Sequence, residues 1–258
     1  MMWDIKEEDL DGFRATCSSR LSPEGAMVFF IGGIVYTSVF MFFIFMGGLE
    51  YYNTFFDKTI VKIEIVLYSL QIMFLILYSF PKVCFKLQKL QTFVILLYAF
   101  QLGTITFTAL ILPGISEDSI DRITLIYVGM LFLGAVIVHI VTTIDTFKQA
   151  SEGAFSKDER STSFFSKTKG NVMKWATLYA LTLLVLIYFH TNYAFDVLVL
   201  YVVGTVLMYT IAVGAAEFQL LMYCRFNFPS FNISWEQHKR ESPRYQKKNK
   251  KGKSKRKA

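Results

Sequence analysis

Six long blocks of this chain contain no Asp, Glu, Lys or Arg, and the charged residues crowd into the segments between them. The blocks cover 25–49, 65–81, 90–116, 123–144, 175–195 and 197–216. A hydrocarbon core about 30 Å thick is crossed by roughly 20 residues of helix, each rising about 1.5 Å. The pattern therefore predicts an all-α, polytopic membrane bundle of six transmembrane helices, with spans at about 25–49, 62–81, 90–113, 123–144, 175–194 and 197–217. Lys62 and Glu64 are placed at an interface, so that the second span can extend outward past them. The last two blocks are separated only by Asp196, and the polar run His190-Thr191-Asn192-Tyr193 just before it reads as a tight helical hairpin. Pro113-Gly114 is expected to end or kink the third helix.

Charge supplies the orientation. Basic loops stay in the cytoplasm, and 24 of the 27 Lys and Arg fall in the N-terminal segment, the second and fourth connections and the C-terminal tail; only Lys58, Lys62 and Arg122 lie opposite. Divided by side, the net charge of +7 becomes +11 on one face and −4 on the other. The expected topology has both termini in the cytoplasm, with the chain in the bacterial cytoplasmic (plasma) membrane. The first span is expected to be retained, because the segment before it is acidic rather than basic, unlike a signal peptide. The resulting layout is a cytoplasmic N-terminal segment (1–24), a six-helix transmembrane domain (25–224) carrying a flexible cytoplasmic loop (145–174), and a basic cytoplasmic tail (225–258). Residues 1–24 suit either an interfacial amphipathic helix or a frayed terminus.

Composition agrees: the chain is 53% hydrophobic, 17% aromatic and has a mean hydropathy of +0.41. Together with the segregated charge this excludes a soluble globular enzyme, a disordered tail protein and a secreted disulfide scaffold. Cys17, Cys84 and Cys224 all fall on the predicted cytoplasmic side, where thiols stay reduced.

Candidate chemistry is sparse. No acid or base is expected near the middle of any span, which lowers the case for a proton-coupled transporter or an intramembrane protease. His139 and His190 lie at opposite depths, so they cannot share a metal. Polar residues form helical stripes: Tyr68, Gln71 and Tyr78 on the second helix; Tyr98, Gln101, Thr104 and Thr108 on the third; Tyr201, Thr205 and Tyr209 on the sixth. Such faces turn toward other helices to satisfy their hydroxyls and amides. Gln71, Gln101, Thr104, His139, His190 and Tyr209 are the candidate polar interior, either as interhelical contacts or as a cavity lining. Glu217 and Arg225, close together at one end of the sixth helix, are a candidate ion pair. No catalytic, cofactor or metal motif occurs, and no cofactor is expected.

In its Phe-, Ile-, Leu- and Tyr-rich spans (Val28-Phe29-Phe30, Met41-Phe42-Phe43-Ile44-Phe45) and Lys-rich tail, the chain resembles small multi-pass membrane proteins of low-GC Gram-positive bacteria. More narrowly it is similar to polytopic proteins encoded near type VII secretion loci, some thought to protect against secreted membrane-damaging toxins. The resemblance implies a non-enzymatic protein that binds another integral membrane protein, as a toxin-immunity or secretion-accessory factor. A transporter or permease subunit and a membrane-embedded lipid-modifying enzyme using His139 or His190 are the alternatives. Expected partners are the lipid bilayer, anionic lipid head groups at the basic tail, and another membrane protein; no nucleic acid is expected, because the basicity is a topology signal first.

Overall fold

A computed structural model describes residues 4–19, 21–46, 48–116, 120–156, 166–191 and 195–241. The Lys-rich run from 246 onward and the middle of the long loop (157–165), on which two expectations rest, lie outside the described residues. Among those described, every regular element is helical and no strand forms. Six helices are long and apolar enough to cross a membrane: α2 (Pro23–Met46), α3 (Phe55–Tyr78), α5 (Gln88–Ser116), α6 (Arg122–Ser151), α7 (Lys167–Thr191) and α8 (Phe195–Asn227). Three short ones, α1 (Asp11–Ser19), α4 (Pro81–Lys86) and α9 (Trp235–Glu241), gather at the end of the bundle that carries the first and last described residues, called here the terminal face.

Local chemistry sets the helix ends. The Thr54 hydroxyl accepts from the Asp57 N–H to start α3, and the Asp121 carboxylate accepts from the Thr124 N–H to start α6, each meeting a donor the first turn leaves open. Pro81 opens α4, where its missing N–H costs nothing. Gly153 takes a left-handed conformation (φ 76°) just after α6, and its backbone at that point favours glycine.

Several expectations shift. The helical ends of the long loop are not flexible connection: α6 runs to Ser151, α7 starts at Lys167, and Phe155 is buried against the N-terminal segment. Pro113 does not end α5, which continues to Ser116. The described part of the N-terminal segment forms α1 and packs on the end of the bundle. Ile5, Leu10, Phe13 and Cys17 pack against Leu220, Leu221, Cys224 and Phe231, plugging the terminal face.

The spans sort into two groups that share a central α5–α8 contact. In one, α2 and α3 pack on α5 around Phe30, Tyr78 and Tyr98 toward the terminal face and around Met41, Ile44, Val61 and Ile105 toward the other. In the other, α6 and α7 pack on α8 around Leu131, Leu183, Ile187 and Met208. The outward faces are strongly apolar, with Val28, Phe42, Ile126, Leu133, Trp175 and Phe189 all largely exposed. In a helix bundle, such faces suit lipid rather than water.

Candidate functional site: a carboxylate inside the bundle

One face of α3 carries Asp57, Val61, Glu64, Tyr68, Gln71 and Tyr78, the i, i+4, i+7 repeat of a buried helix stripe. Asp57 is wholly buried and Glu64 is 6% exposed. Glu64 is the tenth of the 24 residues of α3, about 14 Å along the axis from its start. The charge count sets Glu64 at an interface; what the fold adds is that its side chain turns into the bundle rather than outward. The opening turns of α3 display exposed Phe55, Phe56 and Ile63 beside Lys58 and Lys62, so the apolar outer surface extends to the start of the helix. The two lysines reach outward from it while the carboxylates turn inward.

Side chains from α5 face Glu64. Gln101 Nε2 donates to Oε2 at 2.9 Å, and the Thr108 hydroxyl, whose one hydrogen also faces the Thr104 carbonyl at 3.3 Å, lies 3.5 Å from Oε1. No Lys, Arg or His forms an ion pair with Glu64 among the described residues. Around this centre the seam between α2, α3 and α5 is lined with further polar groups. Ser38 and Tyr68 share a hydrogen bond of 2.7 Å, and Tyr36 bonds Thr106. Gln71 fits because α2 carries Gly33, where a Cβ would stand 3.2 Å from Gln71 Nε2. Thr37 Oγ1, Gln71 Oε1, Gln101 Oε1 and the hydroxyls of Tyr78 and Tyr98 are buried without a protein partner among the described residues. Buried polar atoms are nearly always paired, so five such atoms along one seam set it apart from an ordinary apolar core.

The six residues expected to form one polar interior do not converge. Gln71 and Gln101 belong to the Glu64 seam. Thr104 leaves the stripe assigned to it: its hydroxyl bonds carbonyls of α5 itself, and it lines an outer groove with His139 and Phe132. His139 bridges α6 to α8. Its Nδ1 is 2.9 Å from the Ala212 carbonyl, which can only accept, so Nδ1 carries the proton and Nε2 accepts from Gln219 Nε2 at 3.0 Å. That is a satisfied structural imidazole. Tyr209 donates to the Leu131 carbonyl at 3.1 Å, crossing over Gly134. His190 lies at the face opposite the termini and bonds the Asp121 carboxylate. Thr124, through its hydroxyl and backbone N–H, and then His190 hold that carboxyl down at about 2.

Sequence reasoning missed three buried ionisable groups. Glu64 was legible: it is seven residues before Gln71 and four before Tyr68, on a stripe already recognised. Arg225 is 3% exposed and does not pair with Glu217. Its guanidinium instead donates to the Gln88 carbonyl at 2.9 Å, the Leu21 carbonyl at 3.3 Å and the Thr92 hydroxyl, tying α8 to α5 and to the start of α2. Lys169, at 1% exposure, sits in the field of Asp145 and Glu217 where α6, α7 and α8 meet; Asp145 itself accepts from Gln149 at 2.6 Å and from Ser166 at 2.7 Å. Burial pushes the nearby Cys84 thiol up to about 11, which keeps it protonated and unreactive. Cys17 and Cys224 are likewise buried, and neither forms a disulfide among the described residues.

The chain matches no family model. Neither a curated protein nor a solved structure is similar to it. Its fold is therefore read from its own residues: a multi-pass, six-helix membrane protein with a carboxylate inside the bundle.

Proposed function

We propose that the chain is a permease-type membrane subunit in which Glu64 takes up and releases a proton. The single observation behind this reading is the buried Glu64 carboxylate, tenth of the 24 residues of α3, accepting from Gln101 and paired with no cation among the described residues. An ionisable group at such a depth is expensive to keep and marks proton or ion paths. Its donor favours the proton over a metal cation. Gln101 presents its NH₂, whereas a metal ion would require oxygen lone pairs from the same group. The unpartnered hydroxyls and amide oxygens along the seam are groups through which a proton can be relayed by water.

The segregated charge supports insertion in the bacterial plasma membrane with both termini in the cytoplasm, which puts the terminal face inside. In that orientation Asp57 lies on the outer side of Glu64, and Gln71, Tyr78 and Tyr98 on the inner side.

The experiment is proton flux into sealed proteoliposomes carrying an internal pH dye, driven by a potassium diffusion potential. The wild-type chain is expected to acidify the lumen, and Glu64→Gln, which keeps both hydrogen-bond positions, is expected to match protein-free vesicles. Equal flux through both proteins would overturn the reading.

A second reading, binding to another integral membrane protein, is favoured by the outer surface between α7 and α8. These helices pack on α6 more than on each other and leave a groove of about 260 Å³, in which Ala176, Thr177, Ala180 and Thr210 are interspersed with larger side chains such as Leu181 and Val206. Small residues of this kind let a foreign helix approach closely. A toxin-immunity or secretion-accessory role would be one case of such binding. Photo-crosslinkers at Thr177 and Thr210 are expected to capture a discrete membrane partner in cells, and lipid-only adducts would count against it.

A further inference from the structure

At the terminal face, the segment that follows α8 folds back beneath α4. The Ser234 hydroxyl accepts from the Gln237 N–H at the start of α9, Trp235 packs on Phe85 with ring centres 5.3 Å apart, and His238 reaches Glu24 at 3.2 Å. Gln88 Nε2 donates to the Ile233 carbonyl at 3.3 Å, fixing this strap against the start of α5. Between α4 and the strap lies a cavity of about 390 Å³, whose walls include Lys82, Lys86, Gln88, Ser234, Trp235 and Glu236. Lys82 and Lys86 stand one helical turn apart on the same side of α4. Both are exposed, and neither has an ion-pair partner among the described residues.

Exposed apolar side chains flank α4 along the chain. Phe80 just before it, and Leu90 and Phe93 on the first turns of α5, are exposed at 60%, 42% and 54%. Two ammonium groups, an indole and exposed apolar side chains thus accompany the short helix that joins α3 to α5, a combination suited to the head-group level of a bilayer.

We propose that this cavity holds the phosphate head group of a membrane phospholipid, with Lys82 and Lys86 contacting the phosphate and the acyl chains lying over Phe80, Leu90 and Phe93. Glu236 on the same wall repels a bare anion and can accept from a hydroxyl or amine. It therefore favours a head group carrying its own donor, such as the glycerol of phosphatidylglycerol or the amine of phosphatidylethanolamine, over choline, which has none. A soluble phosphate ester shares the phosphate chemistry but leaves these apolar side chains uncovered. The inference stands apart from the proton reading, since it uses none of the Glu64 residues.

The test is native mass spectrometry of the full chain in mild detergent with added phosphatidylglycerol, phosphatidylethanolamine or phosphatidylcholine, and separately with glycerol 3-phosphate. The wild type is expected to retain one phosphatidylglycerol or phosphatidylethanolamine in preference to phosphatidylcholine, and not to retain glycerol 3-phosphate. Lys82→Gln/Lys86→Gln is expected to lower that retention about tenfold. Lys89→Gln, which removes a neighbouring lysine seated over Phe226 rather than in the cavity, is expected to leave it unchanged. Equal retention by wild type and the Lys82/Lys86 double variant, or an equal loss from Lys89→Gln, would overturn the site. Retention of glycerol 3-phosphate without lipid would overturn the lipid as its source.

Discussion

At the scale of single residues, the ionised groups that matter are those removed from water. Arg225 is the strongest case, because three acceptors, two on α5 and one just before α2, converge on one guanidinium. Replacing it with Leu strands the Gln88 and Leu21 carbonyls in a buried site, and each unmet acceptor costs about 1–3 kcal/mol. Arg225→Leu is therefore expected to lose about 3 kcal/mol in a denaturant titration of the detergent-solubilised protein, whereas Glu217→Gln leaves these bonds in place. Asp121 acts through pH instead. Its carboxyl is held at about 2 in the folded chain, below an ordinary aspartate near 3.9. A depressed carboxylate stabilises the fold above its unfolded value, and that contribution is lost as pH falls from about 4 toward 2. Melting curves should thus show Asp121→Asn less stable than wild type at pH 7, with the gap narrowing across that acid window. A gap that stays constant with pH would mean the carboxylate charge plays no part.

At the scale of helices, close approach at glycine decides how the second group packs. A Cβ on Gly134 would stand 2.3 Å from the Tyr209 hydroxyl and 2.6 Å from the Tyr179 ring. Those two side chains are the bridges from α8 and α7 to α6, since Tyr209 bonds the Leu131 carbonyl and Tyr179 the Met130 carbonyl. Gly134→Ala is expected to cost about 1–3 kcal/mol by overpacking, read as a lower melting temperature. Gly129→Ala, where a Cβ meets open space on the same helix, should be nearly silent. The helices themselves were legible in the sequence because blocks without charge need no tertiary information to be recognised. Their ends were less so. Lys148 and Lys167 looked like loop residues, yet they lie on helices that continue past the apolar blocks; a charge count cannot see a helix that outruns the membrane. For Glu64, counting charge-free residues gives a boundary position, while its spacing from Tyr68 and Gln71 gives the buried stripe on which it lies. The partner choice of Arg225 was not legible at all, since its acceptors are backbone carbonyls and a hydroxyl more than 130 residues away.

At the scale of the whole molecule, the two helix groups differ in character. The α6–α7–α8 group has an apolar core in which Tyr179, Tyr209 and His139 bridge helices, His139 is satisfied at both nitrogens, and Thr205 Oγ1 is left unpaired among the described residues. The α2–α3–α5 group has comparable apolar packing at either end but keeps an acid and a row of unpaired polar atoms between. A purely structural bundle gains nothing from this, because a buried carboxylate without a cation is costly unless it is protonated. The account therefore turns on whether Glu64 exchanges a proton within the lipid-embedded chain. The most direct measurement is a pH titration of the carboxylic acid stretch by difference infrared spectroscopy on protein reconstituted in lipid, comparing wild type with Glu64→Gln. A titrating, deuterium-sensitive carboxyl band present in the wild type and missing from the variant is the expected result. Superimposable difference spectra from the two proteins across the titration would contradict it.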